Sequence, residues 1–254
     1  GQLDNGVRYV IVPNDEPPGR ASIRLYMDVG SLMEEDDQQG MAHFLEHMAF
    51  NGTRTFKGGE DGDMVKFFQR LGMGFGADTN AHTSFKETVY MLELPEVNAK
   101  YLDDGLRLFR DDLDGMLLKA DEIDKERGII LSEKLSRDSI EYRTMLEGYK
   151  FALPDSLLPK RLPIGIESTL KTMSRQRFVR ATVVAVGDFK DTAAVIAAIK
   201  KHFESAKAAP EVKDPSLGKI SSGHGLIAKL HTEMESQALT ISVERLRQAE
   251  DKPD

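Results

Sequence analysis

Residues 7–13 (VRYVIVP) and 22–29 (SIRLYMDV) are short runs of β-branched and aromatic side chains, and residues 14–19 between them hold a proline pair and acids. That is turn chemistry between two strands, so the two runs are expected to pair antiparallel. Residues 30–40 are polar and loop-like. From 41 to 50 the period changes: Met41, Phe44, Leu45 and Met48 recur at three and four residues, the spacing of one helical face, until Asn51-Gly52 stops it. A short helix is expected over 64–71, with Phe67, Phe68 and Leu71 apolar and Gly72 just past its end. Residues 78–95 read as two strands around a tight connection at 85–87, with Thr88, Tyr90, Leu92 and Leu94 alternating against Val89, Met91 and Glu93. Leu102, Leu106, Phe109, Leu113 and Met116 then step by four and three, a long helix. The next helix takes Asp121 as its N-cap, runs through Glu126 and Glu133 and continues past Ser136. Residues 153–163 are proline-broken loop. Residues 181–187 (ATVVAVG) are nearly continuously apolar, the mark of a central strand. Asp188 opens a helix over 192–203, residues 206–225 are connection, and 226–230 and 238–243 are two last strands. The order predicts an α+β fold, a mostly antiparallel sheet with helices packed on one face.

Composition narrows the setting. The 254 residues suit one large domain or two small ones, and 40% hydrophobic with 30% charged residues is a globular balance. Acids outnumber bases 42 to 34, a net charge of −8, which argues against nucleic acid as a partner. No apolar run approaches the ~18 residues of a membrane span. With no cysteine, disulfides, thiolate metal sites and cysteine nucleophiles are excluded. Residues 1–8 hold no signal peptide and lead straight into a strand, so the natural N-terminus reads as trimmed. Together with the missing cysteine, this favours a periplasmic or secreted bacterial protein.

The chemistry concentrates at His43-Phe44-Leu45-Glu46-His47. Histidines at i and i+4 project from one helix face, one turn apart, so both imidazoles reach a single metal ion. Glu46, three residues after His43, leans toward the same face. Zinc lowers the pKa of water to ~7, and a nearby carboxylate can take the proton and pass it to a leaving amine. A catalytic zinc wants a third protein ligand. Glu126 and Glu133 are seven apart, two helical turns, and so share a face among Ile123, Ile130 and Leu131. Either acid can ligate the metal while the other holds a ligand histidine by a hydrogen bond. Other signals are bland. Gly72, Gly74 and Gly76 are turn glycines. Asp103, Asp104, Asp111, Asp112 and Asp114 are expected on the wet face of their helix, and the 11 methionines read as core filler.

GMAHFLEHMAFNGT (40–53), NAHTSFKETVY (80–90), ERGIILSE (126–133) and VVAVGDF (183–189) together resemble the pitrilysin/insulinase family of zinc metallopeptidases, which includes the mitochondrial processing peptidases. The resemblance implies a domain of that fold over 1–254, with the zinc-site part in roughly 1–160 and the remaining strands and helix in 161–254. It implies one zinc ion per domain, held by His43, His47 and Glu133, with Glu46 as general base and Glu126 hydrogen-bonded to a ligand. Asn80, Ala81 and His82 match an edge strand onto which a substrate peptide adds as a further strand. His82 is read there rather than as a fourth ligand, which would close the catalytic position. The expected activity is zinc-dependent endo- or oligopeptidase action on peptide substrates. The alternative is a non-catalytic structural or assembly subunit, which usually lacks a ligand or the base. The chain departs from the family where Arg177-Phe178-Val179-Arg180 runs directly into Ala181, without the usual aromatic helix end and Tyr-x-Pro turn. Family members also pair this domain with a homologous C-terminal half or partner subunit, so the domain alone is expected to be weakly active.

Overall fold

The computed structural model describes residues 1–57, 63–70, 72–74, 76–171, 181–207, 216–218, 227–234, 241 and 243. Its centre is a five-stranded sheet of β1 (Arg8–Pro13), β2 (Ala21–Met27), β3 (Thr79–Thr83), β4 (Thr88–Leu94) and β5 (Ala181–Gly187) in the order β1-β5-β2-β4-β3. Three of the pairings are antiparallel and β1–β5 is parallel. The expected β1–β2 pair is therefore corrected: β5 lies between them, its register placing Ala185 against Ile23 on one side and Ile11 on the other. The apolar run of β5 suits a strand with neighbours on both sides; the turn at 14–19 connects strands that are not adjacent.

The alternation of β2 and β4 builds the core. Ile23, Leu25, Leu92 and Leu94 point to one face and are buried, each contributing about 1.5–3 kcal/mol. They meet α1 (Met41–Ala49), α3 (Ala99–Asp114) and α7 (Thr192–Phe203) in a single apolar cluster. α3 comes so close to the sheet that a Cβ at Gly105 would stand 2.7 Å from Ile23 Cδ1. On the other face Ser22 and Arg24 pair with Glu93, and Val10 and Val12 are exposed.

The remaining helices are α2 (Asp63–Arg70), α4 (Ala120–Ser136), α5 (Ile140–Ala152) and the single turn α6 (Glu167–Leu170). α4 begins one residue before Asp121, which sits in the first turn rather than at the cap. It ends at Ser136, and a separate helix, α5, starts behind the Ser139 side chain, which accepts from Tyr142 N. α7 is capped by Asp191, not Asp188; Asp188 instead accepts from Gly19 N. Two of the five aspartates of α3 do not face water. Asp111 is buried and accepts from Thr53 Oγ1 and Thr55 N, and burial beside Asp111 pushes the Asp112 carboxyl well above its usual range. The expected strand over 226–230 is not formed by residues 227–230; 238–243 lie outside the described residues except Ile241 and Val243, which are in no strand. The segment 177–180 also lies outside them. No described helix is long and apolar enough to cross a membrane.

Candidate metal centre

α1 is a buried helix: His47 is its one residue not fully enclosed. Its first turn has no side-chain cap of its own. The carboxylate of Glu34 supplies one from the preceding loop, accepting from Gly40 N and Ala42 N at 2.8 Å each, where helix donors are otherwise unpaired and the dipole favours negative charge. Burial pushes Glu34 up to about 7, against the pull of those two backbone donors and of Arg161. The loop expected to be merely polar thus carries a buried acid that fixes the start of α1.

α4 packs beside α1 and brings Glu133 to the two imidazoles. His43 Nε2 and His47 Nε2 are 3.3 Å apart; Glu133 Oε2 lies 3.6 Å from the first and 3.4 Å from the second. Four-coordinate zinc with bonds of ~2.0–2.2 Å holds its ligand atoms about 3.3–3.6 Å apart. Glu133 Oε2 is buried without a hydrogen-bond partner among the described residues, as is His43 Nδ1, so the carboxylate oxygen facing the histidines is left for an ion. Among the described residues this is the one group of three such donors that converge on a point. The donor set of two imidazoles and a carboxylate suits zinc.

The surroundings orient these donors. His47 Nδ1 donates to Glu126 Oε1 at 2.7 Å, which leaves Nε2 with its lone pair toward Glu133 and His43. Asn51 Nδ2 donates to the other Glu126 oxygen at 2.6 Å. Arg137 pairs with Glu133 Oε1, away from the histidines. Burial, with the charges of His47 and Arg137, lowers His43 to about 3, so it is neutral and able to ligate. Burial also opposes charge on His47, but the hydrogen bond to Glu126 and the charges of Glu126, Glu46 and Glu133 together outweigh it and raise it. Burial raises Glu46, while a 2.6 Å hydrogen bond from Thr83 Oγ1 to its Oε2 pulls it down. Glu46 stands on α1 between the two histidines and also feels the charges of His47 and Glu133.

Asn80, Ala81 and His82 lie on β3, which among the described residues is an edge of the sheet paired with β4 alone. His82 is half-exposed, faces Glu87 at 3.6 Å and is not part of the donor group. Asn51, Thr83 and Arg137 were missed by sequence reasoning. Asn51 reads there as a helix stop, and no spacing distinguishes Thr83 or Arg137 from ordinary surface residues.

An α+β domain whose two neighbouring helices present a His-His-Glu donor group with a carboxylate at its side is the architecture of a zinc-dependent peptidase domain. The chain belongs to the insulinase family of peptidases, M16, whose sequence model matches residues 9–147. It is 35% identical over 218 residues to the probable zinc protease PqqL of Escherichia coli K12, covering 82% of this chain and 23% of that protein. It is also 35% identical over 217 residues to the chloroplastic stromal processing peptidase of Pisum sativum, covering 80% of this chain and 16% of that one. The crystal structure of the first half of the periplasmic protease PqqL from Escherichia coli superposes with a TM-score of 0.79 at 33% identity, covering 88% of this chain and 49% of that one. The chain thus spans about a quarter or less of the length of these full-length relatives.

Proposed function

We propose that this chain is the catalytic portion of a zinc endo- or oligopeptidase. The observation that carries the reading is the triangle of His43, His47 and Glu133 donor atoms, spaced for one tetrahedral ion, with Glu46 beside it. When bound, zinc supplies Lewis-acid chemistry: it polarises a carbonyl and lowers the pKa of water. The residues of the chain do the rest. His43 and His47 hold the ion as neutral imidazoles, Glu133 adds a negative charge, and Glu126 with Asn51 keeps the His47 ring turned. Glu46 takes a proton from water and returns it to the leaving amine. Thr83 holds one Glu46 oxygen, which leaves the other free for that transfer.

The free edge of β3 gives a peptide a place to bind. Its outward N–H and C=O groups pair with an extended backbone whatever the side chains, and the positions of Asn80, Ala81 and His82 border that strand. Residues 1–254 act as one domain, with the zinc site in roughly 1–160 and the rest supporting it. A homologous second half or partner subunit completes the enzyme, in line with the greater length of the relatives. The Escherichia coli relative is a periplasmic protease, and we infer the same compartment here.

Metal analysis and a peptide assay test the reading together. The purified chain is expected to hold one zinc ion, lost on replacing either histidine. Glu46→Gln is expected to keep zinc and fold while peptide hydrolysis falls ~10²–10⁴-fold. A zinc-free wild type contradicts the metal site. Hydrolysis by Glu46→Gln at the wild-type rate contradicts the role of the base, and a zinc-loaded wild type that cleaves no peptide even when a homologous second half is supplied favours the non-catalytic alternative.

A further inference from the structure

Residues 161–171 pass the loop that leads into α1 and the flank of α4 and hydrogen-bond to both. On the α1 side, the buried Arg161 donates from Nε to Glu34 O at 2.9 Å and from Nη2 to Asp36 Oδ1 at 2.6 Å. Its carbonyl accepts from Ser31 Oγ at 2.5 Å, and Thr169 Oγ1 donates to Gln39 O at 2.5 Å. Glu34, held this way, is the residue whose carboxylate caps α1. The two backbones touch where Gly40 meets Gly165: a Cβ on Gly165 would stand 2.5 Å from Gly40 Cα, and one on Gly40 2.8 Å from Gly165 Cα. Both glycines also have positive φ. On the α4 side, Lys134 Nζ donates to Gly165 O at 2.8 Å, and Arg127 Nη1 donates to Leu170 O and Lys171 O at 3.2 and 3.1 Å.

The tethers sit next to the donor residues. Arg127 follows Glu126, Lys134 follows Glu133, and Ala42, gripped by Glu34, precedes His43. α4 has only two buried residues, Glu126 and Ile130, with Ile123 and Leu131 partly buried against the core, so its apolar contact is narrow and polar tethers add to what sets its position. A metal site tolerates only about 0.5 Å of misplacement before its geometry is lost.

We propose that residues 161–171 form a positioning strap that sets α4 against α1 at the donor group, with Arg127 and Lys134 as its positioning residues on α4. The proposal rests on the metal reading above. Its sign separates it from a charge effect. Both residues are cations near a site for a dication, so by Coulomb's law alone their removal makes zinc bind more tightly. Loss of positioning makes it bind more weakly.

The test measures zinc affinity by competition with a chromophoric chelator, with urea unfolding of the zinc-free protein to give the folded fraction. Methionine keeps length and helix propensity. The double variant Arg127→Met/Lys134→Met is expected to bind zinc about 10–100-fold more weakly per folded molecule, the range seen when residues orienting metal ligands are removed. Arg127→Lys keeps a charged donor on a long stem and is expected to retain more zinc affinity than Arg127→Met, which has none. If the double variant does not fold, Lys134→Met alone carries the same expectation of weakening. Equal or tighter zinc binding, or a loss that vanishes once the folded fraction is counted, overturns the strap. A wild type that binds no zinc overturns the metal reading and the strap with it; a zinc-binding wild type matched by its variants overturns the strap alone.

Discussion

Glu126 and Glu133 are two turns apart on one helix, and by residue type and spacing they are interchangeable. Their surroundings separate them. Glu126 is saturated by His47 Nδ1 and Asn51 Nδ2, whereas Glu133 keeps one buried oxygen without a partner, aimed at two imidazole nitrogens. Glu133→Gln removes the negative charge from the donor group and is expected to abolish stoichiometric zinc binding. Glu126→Gln can still accept from His47 and is expected to cost about 10–100-fold in affinity. Zinc titration of the two variants decides the assignment: the opposite order makes Glu126 the ligand. Spacing of i, i+3 and i+4 alone put the two histidines and Glu46 on one helix face. Thr83 and Asn51 were not, because each acts across a gap of tens of residues that only folding closes.

Helices and strands with strong periodicity were legible to within a residue or two: α1, α2, the β3–β4 hairpin, α3 and α7 stand where their apolar spacing puts them. The errors came where an element is defined by partners. β1 and β2 are separated by a strand from far along the chain, and Asp111 is turned inward because α3 must also hold the segment after α1, with Asp112 buried beside it. One polar tie joins two of these elements. Asp103 on α3 accepts from Lys201 Nζ and His202 Nε2 of α7 at 2.5 and 2.7 Å. Burial works against the charge of Asp103, but those two partners outweigh it and bring it down to about 2. A carboxylate depressed in the folded state stabilises above its unfolded pKa near 4 and loses that contribution as pH falls toward 2. Because the group is largely solvated, the tie is worth only about 0.5–1 kcal/mol. Asp103→Asn is therefore expected to be less stable than wild type by that amount at pH 7, with the difference closing by pH 2. Urea unfolding at several pH values checks it; a difference that persists at pH 2 contradicts the ionic tie.

At the scale of the whole molecule, the donor group, Glu46 and the edge strand β3 lie within this chain, and the proposed chemistry draws on all three. A peptide also has to be held in register and its developing charge stabilised, and the relatives are several times longer than this chain. We expect a folded, zinc-binding protein that hydrolyses mixed peptides of roughly ten to thirty residues weakly, with turnover rising when a segment homologous to the second half of the relatives is supplied. Rapid hydrolysis by the chain alone, stopped by a chelator, contradicts this while leaving the zinc assignment in place. Local order settled much in advance: apolar periods of two and of three to four specify strands and helices, and a pentad on one helix places two imidazoles and a carboxylate together whatever surrounds it. Only the tertiary structure decided which distant acid completes the donor group, which residues hold those donors in line, and which strand stands between β1 and β2. Those outcomes depend on contacts between residues far apart in the chain, and one-dimensional spacing carries no information about which distant segments will meet.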